Sequence, residues 1–312
     1  MTTPARLMLL DSASLYFRAF YGVPDTRTDP AEPPTNAVRG FLDMIASLVE
    51  RYRPTHLVAC WDDDWRPAFR VAAIPSYKAH RVSLVDPAGV VEESPEDLTP
   101  QVPVIVEALA ALGIARVGAP GYEADDVIGT LTHQWRGLGP VDVVTGDRDL
   151  FQLVDDSVGV RVLYTARGGV RDPDLVDETF LRDKYAVTSG SAYADMAALR
   201  GDTSDGLPGV AGVGEKTAAT LIARYGDLAT LRAAVASGDP LIKGAQRARL
   251  EAASAYLDVA PLVVRVALDV PIGPVDAVLP SSVADASLMS RLAVDYGLTS
   301  SFNRVIASLN LA

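Results

Sequence analysis

Cysteine is nearly missing from this chain: the single Cys60, inside HLVACW, excludes an intramolecular disulfide framework and a cysteine-rich zinc site, and reads as a small buried strand residue. Histidine is almost as scarce. His56, His80 and His133 all lie apart from the acidic motifs, so no imidazole base is at hand for chemistry there. Long apolar runs are absent too. Leu7 to Leu10 is only four residues, too short for the core of a signal peptide, and nothing later approaches a membrane span. Positive charge is in deficit, with 28 Lys and Arg against 40 Asp and Glu and a formal charge of −12, which argues at first against a nucleic-acid partner. Net charge does not say where charges sit, however. The stretch from Trp65 to Arg81 holds Arg66, Arg70, Lys78 and Arg81 with no acid, while acids stand elsewhere in pairs and triplets. An acidic protein with one basic stretch and several acid clusters fits metal-assisted chemistry on an anion.

What is present is ample apolar material, 49% of 312 residues, enough to bury a full core. Short β-rich runs alternate with stretches of helical period, so the first two thirds read as an α/β fold with a mainly parallel sheet and helices on both faces. Strands are expected at Leu7–Leu10, Leu57–Trp61, Val141–Thr145 and Val160–Tyr164, and helices at Asn36–Arg51, Thr99–Leu112, Glu123–Trp135, Asp174–Tyr185 and Tyr193–Leu199. The segment from Pro67 to Pro103 is rich in proline and charge, which suggests an excursion from the sheet. From Pro208 onward the pattern is helical, with a further helix through Leu288 to Tyr296. The expected organisation is an α/β core over 1–200, including the excursion at about 66–103, and a helical region over 201–312, packed as one compact unit.

Three of the four expected strands run directly into acids: LMLL into Asp11, HLVACW into Asp62 to Asp64, and VDVVTG into Asp147 and Asp149. In open α/β sheets ligands bind in the crevice outside the strand carboxyl ends, which brings these acids together. GYEADD adds Glu123, Asp125 and Asp126 at a helix start, and RGDTSDGLPG adds Asp202 and Asp205 in a Gly-rich turn. Each cluster alone is equally consistent with ordinary helix-start or turn acids. Together they would place so many like charges around one sheet edge that cations must neutralise them. Hard divalent ions with oxygen ligands, some held through water, suit that role, and a pair of them suits phosphodiester hydrolysis.

At this point the residues resemble a known family, the 5′ nucleases, in particular the 5′→3′ exonuclease domain of bacterial DNA polymerase I and the flap endonucleases. The matching segments are LLDSASLYFRAF, FRVAAIPSYKAHR, GYEADDVIGTL, VTGDRDLFQL, GDTSDGLPGVAGVGEKTA and, more loosely, YGLTSSFNRV, in family order over nearly the whole chain. The resemblance implies a nuclease core with a C-terminal helix-hairpin-helix, and structure-specific cleavage of DNA at 5′ flaps and 5′ ends, with removal of RNA primers, in replication and repair. It implies two or more divalent ions, Mg²⁺ or Mn²⁺. Asp11, Asp63, Glu123, Asp125, Asp147 and Asp149 would surround the first, and Asp126, Asp202 and Asp205 would help hold the second. Among Asp62 to Asp64 the residues leave the choice open; counting back six from Phe69, as in the family, gives Asp63. Pro75 to Arg81 resembles the arch that passes the single-stranded 5′ end, which would put Lys78 and Arg81 at the scissile phosphate and Tyr77 against an unpaired base. Arg18 and Arg70 match further family basics as phosphate contacts. Gly209, Gly212, Gly214 and Lys216 belong to the hairpin that grips the duplex backbone, with a K⁺ between its carbonyls and a phosphate.

The expectations are completed by a stand-alone monomer in the bacterial cytoplasm, associated with the nucleoid. Two other readings compete. A non-catalytic DNA-junction binder would have lost metal ligands, and no family acid is missing here. A phosphotransferase of the haloacid dehalogenase kind needs Asp-x-Asp after its first strand, whereas Asp11 is followed by Ser12 and Ala13.

Overall fold

The structure, a computed structural model, describes residues 5–83 and 92–311. The middle of the excursion expected at 66–103 therefore lies outside the described residues. Six strands form one sheet in the order β3-β2-β1-β4-β5-β6: β1 Leu7–Asp11, β2 His56–Cys60, β3 Ala115–Val117, β4 Val141–Thr145, β5 Val160–Gly168 and β6 Asp172–Val176. All neighbours pair in parallel except β5 with β6. The helices, in chain order, are α1 Ser12–Gly22, α2 Asn36–Tyr52, α3 Ala68–Ala73, α4 Gln101–Leu112, α5 Ala124–Gln134, α6 Glu178–Tyr185 and α7 Gly190–Arg200. They continue with α8 Glu215–Tyr225, α9 Leu228–Ser237, α10 Gly244–Ala252, α11 Ser254–Val264, α12 Ala286–Asp295 and α13 Thr299–Leu309.

Strand period 2 sends alternate residues to opposite faces, and both faces are covered. Leu7 and Leu9 of β1, with Val58 and Cys60 of β2, pack into a core shared with α5, α7, α8 and α11. Met8 and Leu10, with Leu57 and Ala59, pack into a second core with α2, α4 and the C-terminal α12 and α13. The last helices thus return to the α/β core, where α13 packs along α2 and α12 along α4. Cys60 is a buried core residue, as its apolar setting suggests.

Strand order reverses between β1 and β4, so the crevice outside their carboxyl ends is where an open α/β sheet receives a ligand. Local chemistry sharpens the elements that pattern alone leaves vague. Helix α1 follows β1 without a loop because Asp11, the last strand residue, caps it. The expected helix over 174–185 is two elements: β6 pairs back on β5, and α6 starts only after Asp177, whose side chain accepts the Phe180 amide hydrogen at 2.7 Å. Among the described residues no helix is long and apolar enough to cross a membrane.

Candidate active site

Asp11 has two duties at the end of β1. One oxygen accepts the Ser14 amide hydrogen at 3.1 Å and the other accepts the Thr145 hydroxyl, at the end of β4, at 2.6 Å. Thr145 Oγ1 accepts the Asp147 amide hydrogen at 2.8 Å, and Asp147 Oδ1 accepts that of Asp149 at 2.9 Å. Neighbouring strand ends are thereby tied through hydroxyl and carboxylate, and their acids are held on one side.

The strands open into a cavity of about 420 Å³ lined, among the described residues, by seven carboxylates: Asp11, Asp62, Glu92, Glu123, Asp125, Asp147 and Asp202. Lys78, Arg81 and Arg148 share the lining, as do Phe17, Trp65 and Tyr164. The expected arch residues Lys78 and Arg81 do reach the acids. Lys78 Nζ lies 3.0 Å from Glu123 Oε2, and Arg81 Nη2 lies 2.6 Å from Asp205 Oδ1. Burial pulls the Lys78 ammonium down, but Glu123, Tyr77, Asp205 and Asp62 outweigh it and hold it well above the usual lysine range.

Several expected placements change. Asp62, not Asp63, faces the cavity. β2 ends at Cys60, the Trp61 N–H donates to Val117 O at 2.8 Å, and Asp62 then accepts the Ala124 N–H at 2.8 Å, whereas Asp63 turns away into an ion pair with Arg116. Counting back from Phe69 fails because strand register, not loop length, decides which carboxylate enters. Asp126 does not line the cavity either. Its side chain is buried, closes the α5 capping box on the Glu123 amide at 3.2 Å, and takes the Arg70 guanidinium at 2.6 and 2.9 Å. Arg70, only 2% exposed, is therefore an internal cation and not a phosphate contact. Tyr77 is likewise buried, its hydroxyl donating to Glu123 at 2.9 Å, so it offers no face to a base. Arg18 turns into a separate groove with Arg53, Arg171 and Arg304. Asp149 and Asp205 stand behind the lining: burial, then the neighbouring Asp147 and Asp202, raises both carboxyls, and Asp205 is held by Arg81. Sequence reasoning missed Glu92, Arg148, Phe17, Trp65 and Tyr164. The first comes in across the excursion, through a bridge from Glu92 to Val82, a pairing that no motif signals.

The hairpin between α7 and α8 is formed as expected. Gly209 and Gly212 take positive φ, 63° and 70°, and a Cβ on Gly209 would overlap the Arg200 carbonyl. Val210 and Val213 anchor the turn in the core, which leaves Gly214 at the α8 N-cap and Lys216 exposed in its first turn. Arg249 of α10 also reaches the hairpin, with Nη1 2.6 Å from where a Gly212 Cβ would sit. No spacing in the sequence joins it to that motif.

Brought together in this way, the acids resist ionising at once. Burial, then Asp62 and Asp147, push Asp11 up to about 7 against the pull of Thr145 and Ser14. Burial, then Asp11, Asp147 and Glu123, push Asp125 well above the carboxylate range, and burial also raises Asp62, Glu123 and Asp205. Among the described residues no hydrogen bond reaches the Asp125 side chain, and no three acids converge closely enough to cage an ion unaided. Hard oxygen donors that repel one another and keep space between them fit divalent ions that retain several waters.

Raised folded-state values carry a sign. The folded protein holds protons that the unfolded chain gives up near pH 4, so stability from these groups is present below that pH and is lost as pH rises through about 7. Asp202 runs the other way: burial raises it, but the Ser204 bonds and Arg200 lower it further, and it is outnumbered. The thermal midpoint in EDTA should therefore fall between about pH 6 and 8. Mn²⁺ should raise it more at the higher pH, as calorimetry at the two pH values would show; an equal metal gain at both would disconnect the cavity acids from the ion.

Two family models match the chain. The 5′-3′ exonuclease N-terminal resolvase-like domain covers residues 6–186, and the 5′-3′ exonuclease C-terminal SAM fold covers residues 188–284. A 5′-3′ exonuclease of Streptomyces coelicolor is 59% identical over 303 residues, spanning 97% of this chain and 99% of that protein. A 5′-3′ exonuclease of Mycobacterium tuberculosis is 50% identical over 313 residues, spanning 97% and 98%. In fold the chain is similar to T5 5′-exonuclease with bound divalent metal ions (zinc), with a TM-score of 0.65 at 17% identity over 98% of this chain and 99% of the other.

Proposed function

The chain belongs to the 5′-3′ exonuclease family, and from that premise we propose that it is a structure-specific 5′ nuclease that cuts DNA flaps and recessed 5′ ends with divalent ions, Mg²⁺ or Mn²⁺. It is a phosphodiester hydrolase. The observation that carries the detailed reading is the cavity where seven carboxylates among the described residues, brought in by several elements, meet Lys78 and Arg81. Asp11, Asp62, Asp125 and Asp147 would hold one ion and Asp202, backed by Asp149 and Asp205, a second.

Bound there, the ions supply a water of lowered pKa and a clamp on the phosphate oxygens. The chain does the rest. Lys78 and Arg81 stand ready to take up charge growing on the scissile phosphate, a preorganised stabilisation that costs no rearrangement of water. Their present partners, Glu123 and Asp205, keep both side chains in the cavity until the phosphate arrives. The hairpin amides at Gly212 and Gly214, with Lys216 and a K⁺ on the hairpin carbonyls, grip the duplex backbone without reading bases. By task the chain would then divide into a cutting part, the α/β core with Asp202, Asp205 and the returning α12 and α13, and a gripping part from the hairpin through α11. RNA primers paired to DNA are expected substrates, and the protein is expected to act as a monomer among the DNA of the cytoplasm.

The test is a 5′-flap duplex with Mg²⁺ or Mn²⁺. The flap should be released at its junction and EDTA should stop the release. Tight binding in EDTA with no cleavage on restoring metal would instead identify a junction binder that has kept the fold and lost the chemistry.

A further inference from the structure

We propose that Ser76 and Gly206 are positioning residues for Lys78: they latch the base of the arch to the turn that carries Asp202 and Asp205, and the latch sets where the lysine ammonium stands in the cavity. The proposal rests on the 5′ nuclease reading and adds to it how this chain aims its cation.

Lys78 has a backbone that a side chain disfavours. Its φ of 48° and ψ of 19° are left-handed, where Cβ crowds the following carbonyl oxygen. A residue other than glycine keeps that conformation only where its surroundings hold it there. Here they are three successive carbonyls of the turn. Ser204 O accepts from Arg81 Nη2 at 2.9 Å, Asp205 O from the Lys78 N–H at 2.9 Å, and Gly206 O from the Ser76 hydroxyl at 2.7 Å. The turn is itself closed, because Asp202 and Leu207 exchange backbone bonds at 3.0 and 2.7 Å and the Asp202 side chain accepts the Ser204 amide hydrogen at 2.8 Å. It is a firm face for the arch base to lie on.

Contact this close requires glycine. Gly206 has a φ of 71°, and a Cβ on it would stand 2.1 Å from the Ser76 carbonyl oxygen, so a side chain there would push the segment off the turn. Arg66 donates to the Tyr77 carbonyl at 2.7 Å and to the Pro75 carbonyl at 3.2 Å, which fixes the same segment through its own carbonyls. With the backbone held in this way, Lys78 Nζ reaches Glu123 Oε2 at 3.0 Å. A right-handed backbone at Lys78 would redirect the Cα–Cβ bond and take the ammonium away from that wall. Ser76 and Gly206 do not themselves line the cavity, so their effect on the reaction passes through the lysine.

Single-turnover cleavage of a 5′-flap duplex with Mn²⁺ and saturating enzyme is measured for the wild type, Ser76→Ala, Ser76→Thr, Gly206→Ala and Lys78→Ala, and for Ser76→Ala and Gly206→Ala each combined with Lys78→Ala. Flap binding in EDTA and the thermal midpoint are measured on the same samples. Ser76 is exposed, so Ser76→Ala should fold with the midpoint of the wild type. It should cut about fivefold more slowly, the order of one hydrogen bond carried into rate, and bind the flap within about twofold of the wild type. Ser76→Thr keeps the hydroxyl and should cut like the wild type. Gly206→Ala forces the segment away without removing a polar atom and should slow cleavage at least as much. Lys78→Ala should be slower by about a hundred- to a thousandfold, which single turnover still reads, and in that background neither Ser76→Ala nor Gly206→Ala should cost anything further. Three results would overturn the proposal: Ser76→Ala as fast as the wild type, a loss that Ser76→Thr shares, or a loss that persists once Lys78 is gone, which would mark a general structural role. A wild type that cuts no flap under any metal would defeat the nuclease reading itself, and the proposal with it.

Discussion

Asp125→Asn and Asp147→Asn proteins should still bind a 5′-flap duplex yet cleave it at least about a thousandfold more slowly, while becoming no less stable without metal. The two halves of that expectation come from one arrangement. The Asp125 carboxylate has no hydrogen-bond partner among the described residues, and burial together with Asp11, Asp147 and Glu123 opposes its ionisation. An amide of the same shape removes a repelled charge, so the metal-free fold is relieved and its thermal midpoint should hold or rise. The same amide is a poor ligand for a hard cation, and ion-assisted stabilisation of the transition state is worth several kcal/mol, or about three powers of ten in rate. Asp147 is tied by Oδ1 to the Asp149 amide, a bond that the carbonyl oxygen of Asn preserves. Gain of stability with loss of rate is the mark of a residue kept for chemistry. Single-turnover cleavage and calorimetry on the same samples check it; cleavage within tenfold of wild type would remove these acids from the ion site.

Arg70→Leu should act in the opposite sense, with a large loss of stability. The guanidinium is 2% exposed, makes a fork to Asp126 at 2.6 and 2.9 Å, and lies 3.2 Å from Glu123. Burial acts to lower its pKa, yet Glu123, Tyr77 and Asp126 hold it above the usual arginine range. Without it two buried carboxylates face each other in the capping box of α5, and breaking a buried pair in this way costs about 3–5 kcal/mol. For a chain of this size that is a fall of about 10 °C in thermal midpoint. Arg70→Lys restores the charge without the fork and should recover part of the loss. An Arg70 that served only to bind phosphate would leave the midpoint unchanged and weaken flap binding, the result that would count against this structural role.

These two residues also show what the sequence could and could not disclose. The central strands and the order in which acids follow them were readable, because short continuous apolar runs leading into Asp suit strands of a sheet covered on both faces. Facing was harder. Asp62 and Asp63 are chemically the same and one register apart, and only the pairing of β2 with β3 sends the first inward. Arg70 and Tyr77 stand in a basic stretch that reads as solvent-facing, yet Asp126, 56 residues beyond Arg70, draws the guanidinium inward and Glu123 does the same for the Tyr77 hydroxyl. Helix α1 was missed because its cap, Asp11, is also the last residue of a strand. Glu92 and Arg249 join the site and the hairpin through contacts between elements far apart in sequence, for which no local spacing stands as a sign.

The pairing of Lys78 with Glu123 and of Arg81 with Asp205 has a consequence for how the enzyme responds to salt. These cations carry counterions that belong to the protein, so a phosphate that takes them over displaces carboxylates and releases few ions to solution. Lys216 and the exposed Arg249 have no such partner among the described residues, and phosphate binding there would release ions. Ionic strength will therefore loosen the grip on the duplex more than the hold on the bond being cut. The enzyme's choice among DNA ends becomes stricter as salt rises, while the chemistry at a correctly seated end continues at much the same pace.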